Sequence, residues 1–362
     1  MFVIPFSTLT GQPLLLHAQQ QLAQSTEEWE QQIWQFIIKW LNPEITTVTV
    51  HTSGSTGAPK AIAHTKQAMV HSATITCTAL GLTTGMQALL CLPCNKIGGM
   101  MMLVRSIYRQ LDLVCVKPST TPLAHIPDDI KIDFAAFTPM QLHGAFKDYN
   151  QFKHADAMQT ILLGGEAISA EVLSLSKKLN PAIYSTFGMT ETVSHIALKK
   201  INGATPDAHY KVLGDIEIES TPEQRLIIMA PQLNQPYLLT NDLVAITAPG
   251  QFDWLGRIDN LINTGGVKIY PEQIEQQLQP NIQPAFFIGS VPDEPTGQKL
   301  VLAIEMTELK PSDTAELKQI FAQLDKLHRP KTVLLYNHFI RTPNGKIQRS
   351  QTLQRPAEEV AF

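Results

Sequence analysis

Residues 52–60 have the composition of a loop that binds phosphate groups. The segment is Thr-Ser-Gly-Ser-Thr-Gly-Ala-Pro-Lys, and it directly follows the β-branched run at 48–50. Glycines allow the backbone to turn its N–H groups inward, while the hydroxyls and the lysine add donors and positive charge. It is not a Walker A loop, because Ala-Pro-Lys follows Gly57, and no Rossmann G-x-G-x-x-G is present. By itself the segment is equally compatible with a polar surface turn.

Four further motifs along the chain carry side chains suited to nucleotide chemistry. They are residues 184–192 (Tyr-Ser-Thr-Phe-Gly-Met-Thr-Glu-Thr), 240–242 (Thr-Asn-Asp), 256–266 (beginning Gly-Arg-Ile-Asp-Asn and ending Gly-Gly) and 341–349 (Arg-Thr-Pro-Asn-Gly-Lys-Ile-Gln-Arg). The first places an aromatic ring, a glycine, a threonine and a carboxylate where they can stack on a base, approach a phosphate and hold Mg²⁺. The second is predicted to be an acidic turn that binds ribose hydroxyls. The fourth carries a lysine beside a glycine.

These motifs and their order resemble the adenylate-forming superfamily, which contains acyl-CoA synthetases, adenylation domains of peptide synthetases and luciferases. The likeness covers about residues 48–349. It implies ATP and Mg²⁺ as cofactors and CoA as co-substrate. The residues implied for the nucleotide are Thr52, Ser53, Gly54, Ser55, Thr56, Gly57 and Lys60 at the phosphates; Phe187 and Gly188 near adenine; Gly164, Gly165 and Glu166 as another wall of the nucleotide and acyl pocket; and Asp242 and Arg257 at the ribose.

The resemblance also implies residues for catalysis and for domain movement. Thr190 and Glu191 would lie by the phosphates, with Glu191 as the Mg²⁺ ligand, and Lys346 would be the adenylation lysine. Asp259 would be the hinge between a large domain, 1–256, and a small domain, 257–362. The glycine pair, Gly265 and Gly266, would reach the site in the second step.

The physical chemistry of the reaction agrees with these roles. A carboxylate is a poor electrophile, and joining it to AMP supplies a leaving group that a thiol can displace. Lysine and Mg²⁺ stabilise the extra negative charge on the α-phosphorus during the first step. A hinge that withdraws Lys346 and brings in Gly265 and Gly266 would let one pocket serve both steps.

Each implied role has a structural alternative. Lys346 can be a solvated loop lysine, since lysines are mostly exposed. Glu191 can be an acid at a helix N-terminus. Arg257 can form an ion pair at a domain interface, and Asp259 can be a simple turn residue.

The periodicity of the apolar residues predicts the elements that must position these motifs. Short apolar runs separated by helix-compatible segments predict an α/β region with a largely parallel sheet. The expected strands are 48–50, 89–92, 111–116, 134–137, 161–163 and 183–186, with helices over 66–80 and 170–179. From about residue 198 a smaller β-rich subdomain is expected. A βαββαβ order after residue 257 predicts a small α+β domain.

Local residue patterns predict several helix starts. Ser25 with Glu28, and Asp313 with Glu316, resemble capping boxes. Pro271 suits the first position of a helix.

Length and composition describe an ordinary globular protein. The chain has 362 residues, of which 44% are hydrophobic and 17% charged, enough for two domains. A net charge of −4 argues against a general nucleic-acid binder. No apolar run can span a bilayer, and the N-terminus lacks the regions of a signal peptide. We therefore expect a cytoplasmic enzyme without a nucleic-acid or membrane partner; the oligomeric state stays open.

The four cysteines allow two interpretations. Cys91 and Cys94 have the C-x-x-C spacing of a redox or zinc pair. A structural zinc site usually needs a second close pair, and Cys77 and Cys115 are far apart in sequence. The apolar context favours core cysteines.

Within the superfamily, the chain resembles the o-succinylbenzoate–CoA ligases of menaquinone biosynthesis. Three features carry this likeness: a phosphate loop that begins at residue 52, nearer the N-terminus than in typical acyl-CoA synthetases; the run from Cys91 through Arg105; and the segment 194–198. The resemblance implies an aromatic dicarboxylate as substrate, with an apolar pocket and one group for the unreacted carboxylate. Arg105 and His195 are candidates for that group, against plain structural or surface roles.

Two other functions are compatible with the motifs. The enzyme can load its acyl group onto the thiol of a carrier protein, or the fold can be a non-catalytic nucleotide-binding regulator. Intact Lys346, Glu191 and phosphate loop argue against the regulator. The chain also departs from the superfamily pattern at two places. Asn95-Lys96 stands where many relatives have a histidine or an aromatic residue, so we expect a different gate to the acyl pocket. Asn241 replaces the glycine that is usual before the ribose aspartate, which we expect to alter a turn and not the chemistry.

Overall fold

The computed structural model describes residues 1–51, 60–341 and 347–362. The helices in these ranges are α1 (Gly11–Gln24), α2 (Glu28–Leu41), α3 (Lys66–Ala79), α4 (Ile97–Arg109), α5 (Pro139–Gly144), α6 (Tyr149–Asp156), α7 (Ala170–Ser176), α8 (Pro271–Leu278), α9 (Pro311–Ala322) and α10 (Arg349–Leu353). The strands are β1 (Phe2–Ile4), β2 (Thr47–His51), β3 (Ala61–Thr65), β4 (Gln87–Leu90), β5 (Asp112–Cys115), β6 (Phe134–Phe137), β7 (Thr160–Leu163), β8 (Ala182–Gly188), β9 (His195–Lys200), β10 (Tyr210–Val212), β11 (Glu217–Ser220), β12 (Arg225–Ala230), β13 (Gln235–Ala248), β14 (Gln251–Arg257), β15 (Ile262–Thr264), β16 (Val267–Ile269), β17 (Phe286–Asp293), β18 (Gly297–Glu305), β19 (Thr332–Tyr336) and β20 (Glu358–Ala361).

One large sheet organises the first two thirds of the chain. Its strand order is β1-β5-β4-β6-β7-β8-β9-β10-β14-β13-β12-β11. Strands β5, β4, β6, β7 and β8 pair in parallel, whereas the pairings from β8 to β11 are antiparallel. The predicted α/β region followed by a β-rich region is therefore confirmed, with both parts joined in a single sheet.

The parallel strands separate two hydrophobic cores. Along β7, Ile161 and Leu163 belong to one cluster and Leu162 to the other. Successive side chains of a strand point to opposite faces, so a strand covered on both sides must be apolar throughout. All four residues of β7 are buried, which explains the continuous apolar runs in the sequence.

The C-terminal region has its own sheet and core. Strands β17, β18, β19 and β20 form a four-stranded sheet, and β15 pairs with β16 in a hairpin. The order β16, α8, β17, β18, α9, β19 confirms the predicted βαββαβ pattern, and β20 adds an edge strand beside β19. The division of the chain at residues 256 and 257 stays a prediction.

The structure corrects the predicted capping boxes. The hydroxyl of Ser25 donates to the carbonyl of Gln21 at 2.9 Å, so Ser25 closes α1, and α2 begins at Glu28. Asp313 lies inside the first turn of α9, where it accepts a hydrogen bond of 3.0 Å from the N–H of Lys310. The prediction for Pro271 is confirmed, because α8 begins there.

The cysteines are core residues, as the sequence favours. All four are free and buried. Burial raises the pKa of the Cys94 thiol to about 12. Within the described ranges, no cluster of three or more His, Cys, Asp or Glu side chains could hold a metal ion. No helix among those described is long and apolar enough to cross a bilayer.

Candidate active site

The end of β8 and the start of β9 build a tight turn that carries several of the predicted site residues. Gly188 ends β8 and pairs with His195 after a shift in register. A Cβ atom at Gly188 would overlap the carbonyl oxygen of Ser194 and the Cα of His195. Only glycine therefore allows the two backbone segments to come this close.

The turn between these strands is strained and tightly bonded. Thr190 and Glu191 lie in a short 3₁₀ turn that ends at Thr192. The Thr192 hydroxyl accepts from the N–H of Met189 at 3.2 Å and lies 2.9 Å from the carbonyl oxygen of Ser194. The buried Val193 has a φ of +67°, which is rare for a β-branched residue and marks local strain. This backbone holds Glu191 in position.

Asp242 forms the centre of a charged cluster on the neighbouring strands. It pairs with Arg257 across β13 and β14, and its Oδ2 lies 3.8 Å from Nη1 of Arg257. The indole N–H of Trp254 donates to Oδ1 at 2.9 Å. Burial raises the pKa of Asp242; Asp259 and Glu191 act in the same direction, and Trp254 and Arg257 oppose it. The negative charge of Glu191 thus contributes to the raised pKa of Asp242.

The 240–242 segment differs from its prediction as an acidic turn. It lies inside the long strand β13, so that prediction is wrong. The side-chain amide of Asn241 donates to the two carboxylate oxygens of Asp259 at 3.2 and 3.3 Å. Its own Oδ1 accepts from Nη2 of Arg225 at 3.0 Å. Asn241 therefore links the large sheet to the predicted hinge residue.

Arg257 also pairs with the predicted hinge. Its Nη2 lies 2.9 Å from Oδ2 of Asp259, which is in the 3₁₀ turn 258–260. Both side chains are partly exposed, so this pair contributes little to stability. The ion pair that the sequence left open as an alternative is present, and it places Arg257 between Asp242 and Asp259.

The predicted adenine-side residues lie at the ends of β7 and β8. The ring of Phe187 packs against those of Tyr210 and Phe252, with centroid distances of 5.9 and 5.0 Å. A Cβ at Gly164 would overlap the hydroxyl of Thr186, so this glycine permits close contact between the two strand ends. The next two predicted residues, Gly165 and Glu166, are exposed.

The predicted glycine pair, Gly265 and Gly266, forms the hairpin loop between β15 and β16. Gly265 has a φ of +55° and Gly266 a φ of +80°, as a two-residue hairpin turn with the twist of its strands requires. The N–H of Gly265 donates to the carbonyl of Thr296 at 2.9 Å, so the turn between β17 and β18 supports the loop. Gly266 is exposed, and a Cβ there would meet no atom within 4 Å. The geometry thus explains Gly266 by its turn conformation and not by a close approach, and its part in the second step stays a prediction.

The two candidates for acid binding, Arg105 and His195, meet through Ser194. Nη2 of Arg105 donates to the Ser194 hydroxyl at 2.9 Å, and that hydroxyl lies 3.4 Å from Nδ1 of His195. Nε2 of His195 lies 2.9 Å from the hydroxyl of Thr76, which donates to the carbonyl of Ser72 at 2.9 Å. A neutral His195 that carries its proton on Nε2 satisfies every bond in this chain. Burial and the charge of Arg105 hold the pKa of His195 well below its usual value.

Arg105 is a buried cation without an acidic neighbour. It is 2% exposed, and no carboxylate in the described part of the chain lies within ion-pair distance. Its Nε has no hydrogen-bond partner among the described residues, and burial lowers its pKa to about 10. Burying an unpaired charge is costly. Arg105 is therefore a charge without a counter-ion among the described residues, and its role in binding an acid stays a prediction.

Some predicted residues lie outside the described ranges. They are Thr52, Ser53, Gly54, Ser55, Thr56, Gly57 and Lys346. Lys60 lies exposed just before β3. The residues that flank 342–346 are described, and Arg341 pairs with Ile347 as an isolated β-bridge.

Sequence reasoning missed the partners of the site residues. Ser194 joins both acid-binding candidates, Thr76 holds His195, and Trp254 holds Asp242. Thr76 and His195 are 119 positions apart, and no local pattern connects them. The adjacency of a hydroxyl to His195 was the one available signal.

Known families and relatives match most of this chain. The sequence pattern of the family described as AMP-binding enzyme matches residues 8–229. This chain belongs to that family. A 2-succinylbenzoate–CoA ligase of Listeria monocytogenes is 27% identical over 332 residues, which cover 84% of this chain and 69% of the relative. One of Haemophilus influenzae is 28% identical over 308 residues, covering 79% and 65%.

Solved structures agree with the family. An acyl-CoA synthetase (AMP-forming)/AMP-acid ligase II-like protein of Dyadobacter fermentans is 35% identical with a TM-score of 0.65, covering 95% of this chain and 98% of that one. The o-succinylbenzoate CoA synthetase of Bacillus subtilis, solved with its acyl-adenylate intermediate, is 21% identical with a TM-score of 0.73, covering 86% and 70%. The predictions of an adenylate-forming superfamily member, of this α/β architecture and of an ATP-dependent, AMP-forming ligase are therefore confirmed.

Proposed function

We propose that this chain converts o-succinylbenzoate to o-succinylbenzoyl-CoA through an acyl-adenylate, as a step of menaquinone biosynthesis. The observation that carries the proposal is Arg105, a buried cation with no carboxylate partner in the described structure, bonded to the turn that carries Glu191. The names of the relatives support the same substrate.

An aromatic dicarboxylate needs two different sites for its two carboxylates. One is activated by ATP, and the other must be held away from the reaction. Arg105 is suited to the second task, because charged hydrogen bonds to a carboxylate are strong in a buried site. Ser194 would support Arg105 by accepting a hydrogen bond from its guanidinium group. His195 would accept the hydrogen bond of the Ser194 hydroxyl at Nδ1 and keep its own proton on Nε2, which faces Thr76.

The residues at the nucleotide end fit ATP and Mg²⁺. The charge of Glu191 adds to the burial of Asp242 in raising the pKa of Asp242, and a cation or hydroxyl donors at this place would relieve that repulsion. Bound Mg²⁺ would neutralise charge on the phosphates. Glu191 would hold the metal with Thr190 nearby, and Asp242 and Arg257 would bind the ribose hydroxyls.

The remaining roles come from the family resemblance. Residues 52–57 and Lys60 would bind the phosphates, Phe187 with Gly188 would flank adenine, and residues 164–166 would complete the wall of the pocket. Lys346 would stabilise charge in the first step. A small domain, 257–362, would turn about Asp259 against a large domain, 1–256, and bring Gly265, Gly266 and CoA to the acyl-adenylate.

The first experiment measures pyrophosphate release with ATP, Mg²⁺ and CoA against a panel of acids. The panel contains o-succinylbenzoate, benzoate, a medium-chain fatty acid and an amino acid. We expect selective turnover of o-succinylbenzoate. Turnover of another acid alone would contradict the substrate, and adenylate formation without CoA consumption would favour loading of a carrier-protein thiol.

A second experiment separates the two steps. Lys346→Ala should abolish most adenylation and largely spare thioester formation from supplied acyl-AMP. Asp259→Pro should impair the change between steps. Equal loss of both half-reactions in Lys346→Ala would contradict domain alternation.

A further inference from the structure

Arg341, which precedes the segment 342–346, is bound to the sheet of the C-terminal region. Nη1 and Nη2 of Arg341 lie 2.7 and 2.8 Å from the two carboxylate oxygens of Glu305 at the end of β18. Oε1 of Glu305 also accepts from the N–H of Phe339 at 2.6 Å. Such a two-pronged pair fixes orientation as well as position.

The chain after the segment 342–346 is held by a second arginine, Arg349. Arg349 is the first residue of α10, and its Nη2 lies 2.8 Å from Oε2 of Glu275 on α8. The other oxygen of Glu275 accepts from the N–H of Ile288 at 2.8 Å. The guanidinium also lies over the ring of Phe287, 5.7 Å from its centroid. Burial raises the pKa of Glu275, and the charge of Arg349 opposes that rise.

A second carboxylate extends this contact toward the hinge turn. Oε1 of Glu272, in the first turn of α8, lies 3.8 Å from Nη1 of Arg349 and accepts from the side-chain amide of Asn260 at 2.5 Å. Asn260 is the last residue of the turn 258–260, directly after Asp259. A Cβ at Gly256 would overlap Oε2 of Glu272, so the end of β14 packs directly on this carboxylate.

Two atoms of this cluster lack a hydrogen bond in the described part of the chain. Among the described residues, Oε2 of Glu272 and Nη1 of Arg349 are buried and make no hydrogen bond. The side chains of Glu272, Glu275 and Arg349 are partly buried. An ionic cluster withdrawn from water adds little stability over an apolar one, and a partly satisfied one adds less. Stability alone therefore does not explain why the cluster is ionic. Its position between the hinge turn 258–260 and α10 offers another reason, because charged contacts fix the geometry of the two elements that they join.

We propose that Arg349, Glu272 and Glu275 are positioning residues that couple α10, which follows the segment 342–346, to the hinge turn 258–260. The contacts Asn260–Glu272–Arg349 make the turn 258–260 and α10 move as one body. Rotation about Asp259 would then move the turn and α10 together, and with them the chain that adjoins Lys346. This inference rests on the proposed roles of Lys346 and Asp259.

The test measures the two half-reactions of Arg349→Met separately. Adenylation is followed by pyrophosphate exchange with o-succinylbenzoate, and thioester formation by CoA consumption from supplied o-succinylbenzoyl-AMP. We expect adenylation to fall about 100-fold, as for the loss of a charged contact that positions a catalytic group, and thioester formation to fall less than about threefold. Arg349→Lys should restore part of the loss, since it keeps the charge but not the fork.

A matched arginine serves as control. Arg329 lies in the same region and donates to the carbonyls of Leu324 and Ala322 at the end of α9. Arg329→Met should affect neither half-reaction selectively. If Arg349→Met does not fold, Glu272→Gln takes its place and should produce the same imbalance, about tenfold.

The outcomes separate this inference from the proposed function. Wild-type turnover of o-succinylbenzoate with an equal loss of both half-reactions, or no loss, in the Arg349 and Glu272 variants would overturn the coupling alone. Absence of wild-type turnover with every acid would overturn the proposed function and this inference with it. A selective loss of adenylation would support both.

Discussion

Arg105 is buried and Arg349 is half-buried, and their surroundings are opposite. Arg349 lies between two carboxylates, at 2.8 Å from Glu275 and 3.8 Å from Glu272. Arg105 is more deeply buried, and the structure around it offers a serine hydroxyl at 2.9 Å and the sulfur of Met102 at 3.9 Å. The residue that most needs a counter-charge is the one that lacks it.

The difference indicates two kinds of task. A half-buried arginine between two acids connects structural elements, and its removal leaves uncompensated negative charge behind. A buried arginine whose described neighbours include a hydroxyl but no acid carries a desolvation cost that is only partly offset, which is typical of a site that receives an anion.

Stability should separate the two arginines most clearly. Arg349→Met should lower the free energy of unfolding by about 3 kcal/mol, because Glu272 and Glu275 then face each other unpaired. Arg105→Met should change it by less than about 1 kcal/mol, because the charge that is removed is buried and has no carboxylate partner among the described residues. Urea denaturation of both variants measures this, and a larger loss in Arg105→Met would contradict the contrast.

Substrate affinity should separate them in the opposite sense. Arg105→Met should raise the KM for o-succinylbenzoate by about 10- to 100-fold, the value of a hydrogen bond to a charged group. Any residual turnover of benzoate, which has no second carboxylate, should not change. Arg109→Met is the control, since Arg109 ends the same helix and donates to the carbonyl of Leu82 at 2.7 Å. An unchanged KM in Arg105→Met would exclude it as the acid-binding group.

Acidification should destabilise the neighbourhood of Arg105. The folded-state pKa of His195 lies well below 6.5 because of burial and the Arg105 charge. The unfolded chain therefore binds more protons below about pH 6.5, so stability is present above that pH and is lost as pH falls toward the folded-state pKa. The contribution of His195 between pH 7.5 and 5.5 should be about 1.4 kcal/mol.

His195→Gln should remove that part of the pH dependence. Urea unfolding of wild type and variant at both pH values measures it. The exposed His125→Gln is the control and should keep the wild-type slope. Identical slopes in wild type and His195→Gln would show that burial does not hold His195 neutral.

The smallest effect is expected where the large sheet meets the hinge. Asn241→Ala removes the amide that donates to Asp259, an exposed contact worth about 0.5 kcal/mol. The ratio of the two half-reaction rates should change about two- to threefold. Asn241→Asp, with the same shape and a like charge against Asp259, should change it further in the same direction. A ratio that stays constant in both variants would show that Asn241 does not act on the hinge.

Periodicity and motif order made much of the architecture predictable. The strands around Leu89, Phe134 and Ile161 are apolar throughout because both faces of the parallel sheet are covered. The predicted helix starts were less accurate. Ser25 bonds back to Gln21 at the end of α1, and Asp313 bonds back to Lys310 from inside the first turn of α9. The interpretation of residues 240–242 as a turn failed because three polar residues do not reveal a strand whose neighbours supply their partners.

The sequence by itself determined the family, the order of the motifs and the residue types able to bind a nucleotide and an acid. These are local properties, set by what neighbouring residues can do. Which charges are paired depends on the folded structure and could not be deduced from the sequence. Arg105 and Ser194 are 89 positions apart, and Arg349 and Glu275 are 74 apart. Such contacts depend on strand order and helix packing, so burial and pairing, the two quantities that distinguish an anion site from a structural tie, arise when the chain is folded.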